Sequence, residues 1–206
     1  MGSNKIFIID YGMGNLRSVQ KAFERLKVDA RIISDPSNLK NADKIILPGV
    51  GHFNKGIENL TNQGWVEELK NQVLVNKKPI LGICLGMQLL TKYSEEANAG
   101  GLCFVDAYTK KFIFTDLKIK IPHMGWNEIV LAKKQDVFTI DRDFLLMYFV
   151  HSYFVQCSNP EDILFKTHYG ITFDAGFMHE NIFGFQFHPE KSHKPGLNLL
   201  KNFAEF

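Results

Sequence analysis

Lys78-Pro-Ile-Leu-Gly-Ile-Cys-Leu-Gly-Met-Gln-Leu-Leu90 is a short apolar run that contains a single cysteine, Cys84. The segment 79–83, bounded by breaker residues, predicts a buried strand, whereas residues 87–92 have the pattern of the first turns of a helix. Cys84 is therefore expected on the turn that joins this strand to this helix.

The immediate neighbours of Cys84 favour a nucleophile. Gly82 and Gly86 flank it as Gly-x-Cys-x-Gly, the cysteine version of the nucleophile elbow, in which small residues allow the sharp turn that lifts the side chain out of the strand. The thiol would then lie at the carboxyl end of a strand and at a helix N-terminus, where the dipole and free N–H groups favour the reactive thiolate. A buried structural cysteine fits Cys84 equally well when it is taken alone.

The composition bounds the class of protein. The 206 residues are 45% hydrophobic and 22% charged with a net charge of +2, which fits one soluble domain over residues 1–206, and the 18 phenylalanines are compatible with an apolar partner-facing surface as well as a core. No basic run alternates with aromatic residues and no apolar stretch reaches transmembrane length, so we expect neither nucleic acid nor a membrane as a partner. Three cysteines without paired spacing predict no disulfide framework, no zinc site and a reducing cytoplasm.

Strand and helix patterns alternate through the first half of the chain. We predict strands at 5–9, 30–33 and 42–47, and helices at 16–26, 53–62 and 65–75. This alternation implies an α/β fold with an open, mostly parallel, doubly wound sheet and helices on both faces. Residues 102–172 have short strands and turns, which predict an antiparallel extension of the sheet. A last strand is predicted at 182–187, and Pro195 is expected to open a terminal helix.

A thiol nucleophile needs a base, and the base needs an orienting partner. His188 and Glu190 directly follow the predicted strand at 182–187, as Cys84 follows its own strand. Because the carboxyl ends of parallel strands meet at one edge of an open α/β sheet, the three side chains are expected to meet there. A surface or core histidine is the plainer interpretation of His188 alone, but beside Cys84 a Cys-His-Glu triad is favoured.

The segment Pro48-Gly-Val-Gly51 follows the predicted strand at 42–47 and offers an oxyanion hole. Attack on a carbonyl creates negative charge, and one preorganised N–H donor is worth about 10²–10³ in rate. We expect one donor to be the amide of Val50 or of Gly51, and the other to be the amide of Leu85. A plain turn that opens the next helix is the alternative interpretation.

The combination of Gly82-Ile-Cys-Leu-Gly-Met-Gln88, Pro48-Gly-Val-Gly51 and Phe187-His-Pro-Glu190 resembles the class I, or triad, glutamine amidotransferases. Four further motifs resemble the glutaminase subunits of imidazole glycerol phosphate synthase: Asp10-Tyr-Gly-Met-Gly-Asn15, Pro122-His-Met-Gly-Trp-Asn127, Tyr148-Phe-Val-His-Ser-Tyr153 and His188-Pro-Glu-Lys-Ser192. The motifs follow the family order over nearly the whole chain.

This resemblance implies a flavodoxin-like sheet and a defined reaction. Cys84 would attack the side-chain amide of glutamine, ammonia would leave, and water would cleave the glutamyl thioester to glutamate. The ammonia would pass to a (β/α)8-barrel synthase partner that makes imidazole glycerol phosphate and aminoimidazole carboxamide ribotide in histidine biosynthesis. The resemblance implies no cofactor and no metal.

The resemblance also assigns residues outside the triad. Two side chains, Gln88 and Glu96, would hold the glutamine head group, with the backbone of His151, Ser152 and Tyr153 beside it. The synthase interface would include Asn15, Trp126, Tyr148 and Lys191. One departure from the family pattern is His52, which stands where a small residue is usual.

Three other functions remain open at this point. A paralogous subunit would feed ammonia to the amidination of surface sugars, and the sequence does not separate that use from histidine biosynthesis. A stand-alone Cys-His-Glu hydrolase of γ-glutamyl peptides would not need the interface motifs. A regulatory subunit without turnover would not need Cys84, His188 and Glu190 together.

Overall fold

The computed structural model describes residues 5–140 and 144–206. Its strands, in chain order from β1 to β13, are Ile6–Ile9, Ala30–Ile33, Lys44–Gly49, Ile80–Cys84, Tyr93–Ser94, Ala99–Gly100, Ala107–Lys111, His123–Leu131, Leu145–His151, Tyr153–Cys157, Ile163–Tyr169, Ile171–His179 and Ile182–Phe185. Its α-helices, α1 to α5, are Leu16–Arg25, Phe53–Asn62, Trp65–Leu69, Leu85–Leu89 and His193–Glu205.

Five parallel strands form the centre of the sheet in the order β2-β1-β3-β4-β13. This is the doubly wound order of flavodoxin-like folds, so the predicted fold class is confirmed. The register sets Gly49 of β3 beside Cys84 of β4, and Phe185 of β13 beside Ile83. The carboxyl ends of β3, β4 and β13 therefore meet at one edge.

Alternating side chains of β1 show how the two faces are covered. Ile6 and Ile8 pack with α1 and α5 on one face, and Phe7 and Ile9 pack with α2, α3 and α4 on the other. Strands covered on both faces must be apolar almost throughout, which explains the unbroken hydrophobic runs in the sequence. The phenylalanines lie mainly in these two buried clusters.

The antiparallel extension continues from β13 through β12, β10 and β7, and β12 also pairs with β11. Beyond β11, the strands β8 and β9 form an antiparallel pair from His123↔His151 to Ile129↔Leu145. The predicted switch from parallel to antiparallel structure is confirmed.

Three helix boundaries differ from the predictions. The helix after Cys84 covers residues 85–89 instead of 87–92, because Leu102 and Phe104 donate backbone hydrogen bonds to Leu89 and Leu90 and end it. The predicted helix at 65–75 is α-helical only to Leu69 and continues as a π-helical turn, Lys70–Val75. The terminal helix begins two residues before Pro195, which occupies the first turn, where a missing N–H costs nothing.

Candidate active site

Cys84 has the backbone conformation of a nucleophile elbow. It has φ 54° and ψ −108°, in a region that residues with a side chain rarely adopt. A Cβ atom on Gly86 would collide with the Leu47 carbonyl, and one on Gly82 would lie 2.7 Å from the backbone of Gly86. Both glycines are therefore required for the close packing of the strand and helix on either side of Cys84.

His188 and Glu190 form a buried pair next to the elbow. The Nδ1 atom of His188 lies 2.8 Å from Oε1 of Glu190, and the two side chains are only 3% and 2% exposed. The short 3₁₀ turn Pro189–Lys191 holds this geometry, because the Ser192 hydroxyl accepts from the Tyr148 amide at 3.0 Å and donates to the His188 carbonyl. The carboxylate therefore fixes the ring orientation of His188.

The electrostatics of His188 favour a charged imidazolium. Burial lowers its pKa, but the charge of Cys84, hydrogen bonding to Cys84 and the Glu190 carboxylate raise it more, so that the pKa is about 10. The Nε2 atom is buried and has no hydrogen bond of good geometry, which is common at catalytic groups before substrate binds. An imidazolium beside the sulfur is the counter-charge that a thiolate needs.

A cavity of about 340 Å³ opens beside Cys84. All the residues predicted for the oxyanion hole and for substrate contact line it, namely Val50, Gly51, Leu85, Gln88, Glu96, His151, Ser152 and Tyr153. Gly51 has φ +117°, which only glycine adopts readily, so the segment after β3 turns sharply at the mouth of the cavity. The structure therefore brings these residues together around the sulfur.

Gln88 connects the cavity to a residue that the sequence analysis missed. Its Nε2 atom donates to the Tyr153 carbonyl at 3.1 Å and to Oε1 of Gln186 at 3.0 Å. Gln186 is fully buried, and its own Nε2 lies 3.9 Å from Cys84 Sγ. The signal was present, because Gln186 is the one polar residue in the apolar run Ile182-Phe-Gly-Phe-Gln-Phe187. A donor aimed at the sulfur favours the thiolate.

Glu96 has two protein partners at the mouth of the cavity. Its Oε2 accepts from the Phe53 amide at 3.0 Å, which caps the N-terminus of α2, and its Oε1 lies 3.1 Å from Nδ1 of His52. His52, the departure from the family pattern, is exposed and contacts the very carboxylate that is expected to hold substrate. His52 therefore projects into solvent and is a second side-chain neighbour of the Glu96 carboxylate.

A second residue missed by the sequence analysis is His123, in β8. Its Nδ1 lies 2.9 Å from Nε2 of His151, and Nδ1 of His151 lies 2.7 Å from the Tyr153 carbonyl. Burial lowers the pKa of His123 to about 4 and that of His151 to about 3. The wall of the cavity is therefore supported by two neutral, buried imidazoles.

Two of the four predicted interface residues, Trp126 and Lys191, lie against a third, Tyr148. Trp126, which is 47% exposed, lies 5.9 Å from the ring of Tyr148 and stacks on His193 at 4.9 Å. The Nζ atom of Lys191 lies 5.7 Å above the Tyr148 ring. Asn15 is exposed at the N-terminus of α1, which packs against the 189–191 turn. Because Lys191 directly follows Glu190 in this turn, the Trp126, Tyr148 and Lys191 cluster adjoins the triad.

Within residues 5–140 and 144–206, no group of three or more His, Cys, Asp or Glu side chains is arranged to hold a metal ion. In the same part of the chain, every helix is too short or too polar to cross a membrane.

Comparison with known proteins places this geometry in a family. The sequence profile of the family described as glutamine amidotransferase class-I matches residues 7–205. Imidazole glycerol phosphate synthase subunit HisH 2 of Methanococcus maripaludis is 46% identical over 200 residues, covering 97% of this chain and 98% of the relative. Subunit HisH 1 of Campylobacter jejuni is 47% identical over 203 residues, with the same coverage.

Solved structures at lower identity match the fold. PurLQS from Thermotoga maritima has a TM-score of 0.77 at 16% identity and covers 99% of both chains. A glutamine amidotransferase from Thermotoga maritima has a TM-score of 0.65 at 17% identity, over 100% of this chain and 92% of that one. At these identities the likeness shows the fold alone.

Proposed function

Because this chain belongs to the class-I glutamine amidotransferase family, we propose that it hydrolyses glutamine and supplies the ammonia to an imidazole glycerol phosphate synthase. The observation that carries the proposal is the meeting of Cys84, His188 and Glu190 at one sheet edge, beside a cavity of about 340 Å³. The full-length relatives named above carry the name of that synthase.

The geometry supports a covalent route. The Cys84 thiolate attacks the side-chain amide carbon of glutamine, and the amides of Leu85 and of Val50 or Gly51 stabilise the resulting oxyanion. His188, protonated and oriented by Glu190, gives its proton to the amide nitrogen, which leaves as ammonia and breaks the C–N bond. A glutamyl thioester remains on Cys84. His188 then takes a proton from water, which attacks the thioester and releases glutamate and the thiolate.

Recognition of glutamine needs groups for its charged end. Glu96 is a carboxylate at the mouth of the cavity and is suited to accept hydrogen bonds from the substrate ammonium. Gln88 uses its amide nitrogen within the protein, so its oxygen is the atom that it offers to substrate. The backbone of residues 151–153 forms the opposite wall.

The partner is a (β/α)8-barrel synthase subunit that docks on the surface around Trp126, Tyr148 and Lys191. An exposed tryptophan beside a tyrosine is an aromatic pair of the kind that is enriched at protein interfaces, and Lys191 lies over the ring of that tyrosine. The surface adjoins the triad through the 189–191 turn, so ammonia has a short path to the partner. The reaction belongs in the cytoplasm, where a free thiol at Cys84 stays reduced.

The experiment is glutamate release by the chain alone, by the chain with a barrel synthase, and by that complex with its nucleotide ligand. A reactive glutamine analogue should add covalently to Cys84 in the complex, as read by intact mass. Full turnover without the partner would favour a stand-alone hydrolase, and no capture under any condition would favour a subunit without catalysis. Ammonia transfer only to a sugar-amidinating partner would identify the paralogous pathway.

A further inference from the structure

Tyr11 has a buried hydroxyl without a hydrogen-bond partner. The residue is fully buried, and its Oη is the only hydroxyl among the buried side-chain atoms left unpaired in the part of the chain that the structure describes. Burial, together with the negative charge at Cys84, raises the pKa of the phenol, so it stays a donor. An unpaired buried hydroxyl costs stability, so its retention calls for an explanation.

The hydroxyl points at the candidate oxyanion segment. A Cβ atom on Gly49 would collide with Tyr11 Oη, and it would also lie 2.9 Å from Cβ of Leu85, the residue after the nucleophile. Two further contacts join the same loop to this segment. Gly14 lies against the backbone of Gly49, and Cε of Met13 would lie 2.7 Å from a Cβ atom on Gly51.

The backbone of Tyr11 is anchored, in contrast to its hydroxyl. The Tyr11 carbonyl accepts from Asn59 Nδ2 at 2.9 Å and from Gln63 Nε2 at 3.3 Å, both from or next to α2. Because the backbone is anchored and the ring is fully buried, Oη is a donor at a fixed place beside a glycine-rich backbone. A fixed donor favours whichever peptide orientation gives it an acceptor.

We propose that Tyr11 is a positioning residue for the oxyanion hole, whose hydroxyl donates to the Gly49 carbonyl when the Gly49–Val50 peptide turns its N–H toward Cys84. The inference rests on the proposed function and assigns to Tyr11 the control of its oxyanion hole. Rotation of the Gly49–Val50 peptide moves its N–H and its C=O in opposite directions. When the Val50 N–H faces Cys84, the Gly49 carbonyl therefore faces the opposite way and needs a hydrogen-bond donor there. Gly49 and Gly51 give the segment the freedom to turn.

The resting arrangement thus lacks a hydrogen bond that the reactive arrangement gains. A typical net hydrogen bond shifts such a two-state equilibrium by about threefold to tenfold in favour of the bonded state. The same loop ends at the exposed Asn15, which caps α1 through its side chain. A partner that contacts Asn15 therefore acts on the loop that carries Tyr11.

The test is Tyr11→Phe, which removes only the oxygen atom. We expect kcat for glutamate release in the liganded complex to fall about threefold to tenfold, KM to stay within twofold, and Tm to stay equal or rise, because an unpaired buried hydroxyl has been removed. The matched control is Tyr169→Phe, whose hydroxyl donates to the Lys120 carbonyl at 2.8 Å. It should lower Tm and leave kcat unchanged.

Two results would overturn the inference. One is a kcat within twofold of the wild type, and the other is a fall in kcat accompanied by a fall in Tm, because the hydroxyl would then be paired in the resting protein. Wild-type activity measured in parallel separates this inference from the proposed function. If the wild-type complex releases no glutamate, the function itself is wrong, whereas an active wild type with an equally active Tyr11→Phe refutes only the role of Tyr11.

Discussion

The Nδ1 atom of His123 donates to Nε2 of His151 across 2.9 Å, and the direction of this bond is fixed by what lies beyond it. The Tyr153 carbonyl can only accept, so His151 carries its proton on Nδ1 and accepts at Nε2. His123 must then be protonated at Nδ1, and its Nε2 accepts from Asn127 Nδ2 at 3.2 Å. Either ring would break this chain by gaining a second proton.

The hydrogen bonds that join Asn127, His123, His151 and Tyr153 predict that the protein loses stability in acid. The two histidines have pKa values of about 4 and about 3 when folded, against 6.5 for a free imidazole, so the unfolded chain binds more protons below pH 6.5. The contribution of the two histidines to the free energy of unfolding should be fully present above pH 6.5 and should be lost as the pH falls toward 4. At about pH 5, the slope of the unfolding free energy against pH should correspond to nearly two protons. Urea titrations across this range measure it.

His123→Gln checks the assignment of that slope. The variant should lose about one proton from the slope near pH 5, whatever its stability at pH 8. His168→Gln, the same substitution at an exposed imidazole, is the matched control. An unchanged slope in His123→Gln would mean that His123 is not a neutral support of the cavity wall in the folded protein.

Substitution of Cys84 should abolish glutamine hydrolysis without unfolding the protein. Neither alanine nor serine replaces a thiolate, and loss of a nucleophile that acts with a base costs on the order of 10³ or more in kcat. Glutamate release and circular dichroism of Cys84→Ala and Cys84→Ser measure activity and fold. Cys103→Ser, at an exposed position outside the site, and Cys157→Ala are the controls and should keep full turnover. Activity in Cys84→Ala, or its loss in a stable control, would disprove the choice of cysteine.

Substitutions of His188 and of Glu190 should have different effects on turnover and on the labelling of Cys84. Glu190→Gln keeps a partner at Nδ1 of His188 but removes the charge, so turnover should fall by on the order of 10²–10⁴ while a reactive glutamine analogue still labels Cys84. His188→Asn should damage both turnover and labelling, because the counter-charge for the thiolate is gone. Labelling rates by intact mass give the comparison, and equal, complete loss in both variants would contradict this division of roles.

Glu96 should act mainly in substrate binding. Glu96→Gln keeps an acceptor for the Phe53 amide but loses the charge for the substrate ammonium, so KM for glutamine should rise about tenfold or more with a smaller change in kcat. Steady-state kinetics in the liganded complex provide the measurement. His52→Ala is the paired variant and should lower KM, because it removes the ring that contacts Oε1 of Glu96. A fall in kcat alone would assign Glu96 to the chemistry instead.

The fold and the triad were predictable from sequence because each depends on local signals. The elbow requires Gly82 and Gly86 within two residues of Cys84, and the buried parallel strands are continuous apolar runs. Once three strands are parallel, their carboxyl ends meet, which brings His188 to Cys84 over a long separation in sequence. These inferences need periodicity and strand direction, and no side-chain detail.

The residues that sequence analysis missed act through contacts between distant segments. Gln186 reaches Cys84 and Gln88 only because β13 pairs with β4, and His123 reaches His151 only through the register of β8 with β9. The short helix after Cys84 has the same origin, since loop amides from residues 102 and 104 end it. No local pattern records these pairings.

The last prediction is that this chain alone is a poor glutaminase and that a liganded synthase partner activates it. Ammonia released to water is largely protonated near neutral pH and lost as a nucleophile, so hydrolysis without a waiting acceptor wastes glutamine. Lys191 directly follows Glu190 and lies over Tyr148 on the proposed docking surface, so the partner contacts a turn that contains the triad. One added oxyanion donor is worth about 2.7–4 kcal/mol, so an increase of hundreds-fold is expected.

Lys191→Ala should assemble with the partner, as measured by size-exclusion chromatography, and remain slow with the nucleotide ligand. Lys201→Ala, on the outer part of α5, should be activated like the wild type. Equal turnover of the free chain and the liganded complex would contradict the coupling, and full activation of Lys191→Ala would remove the 189–191 turn from its route.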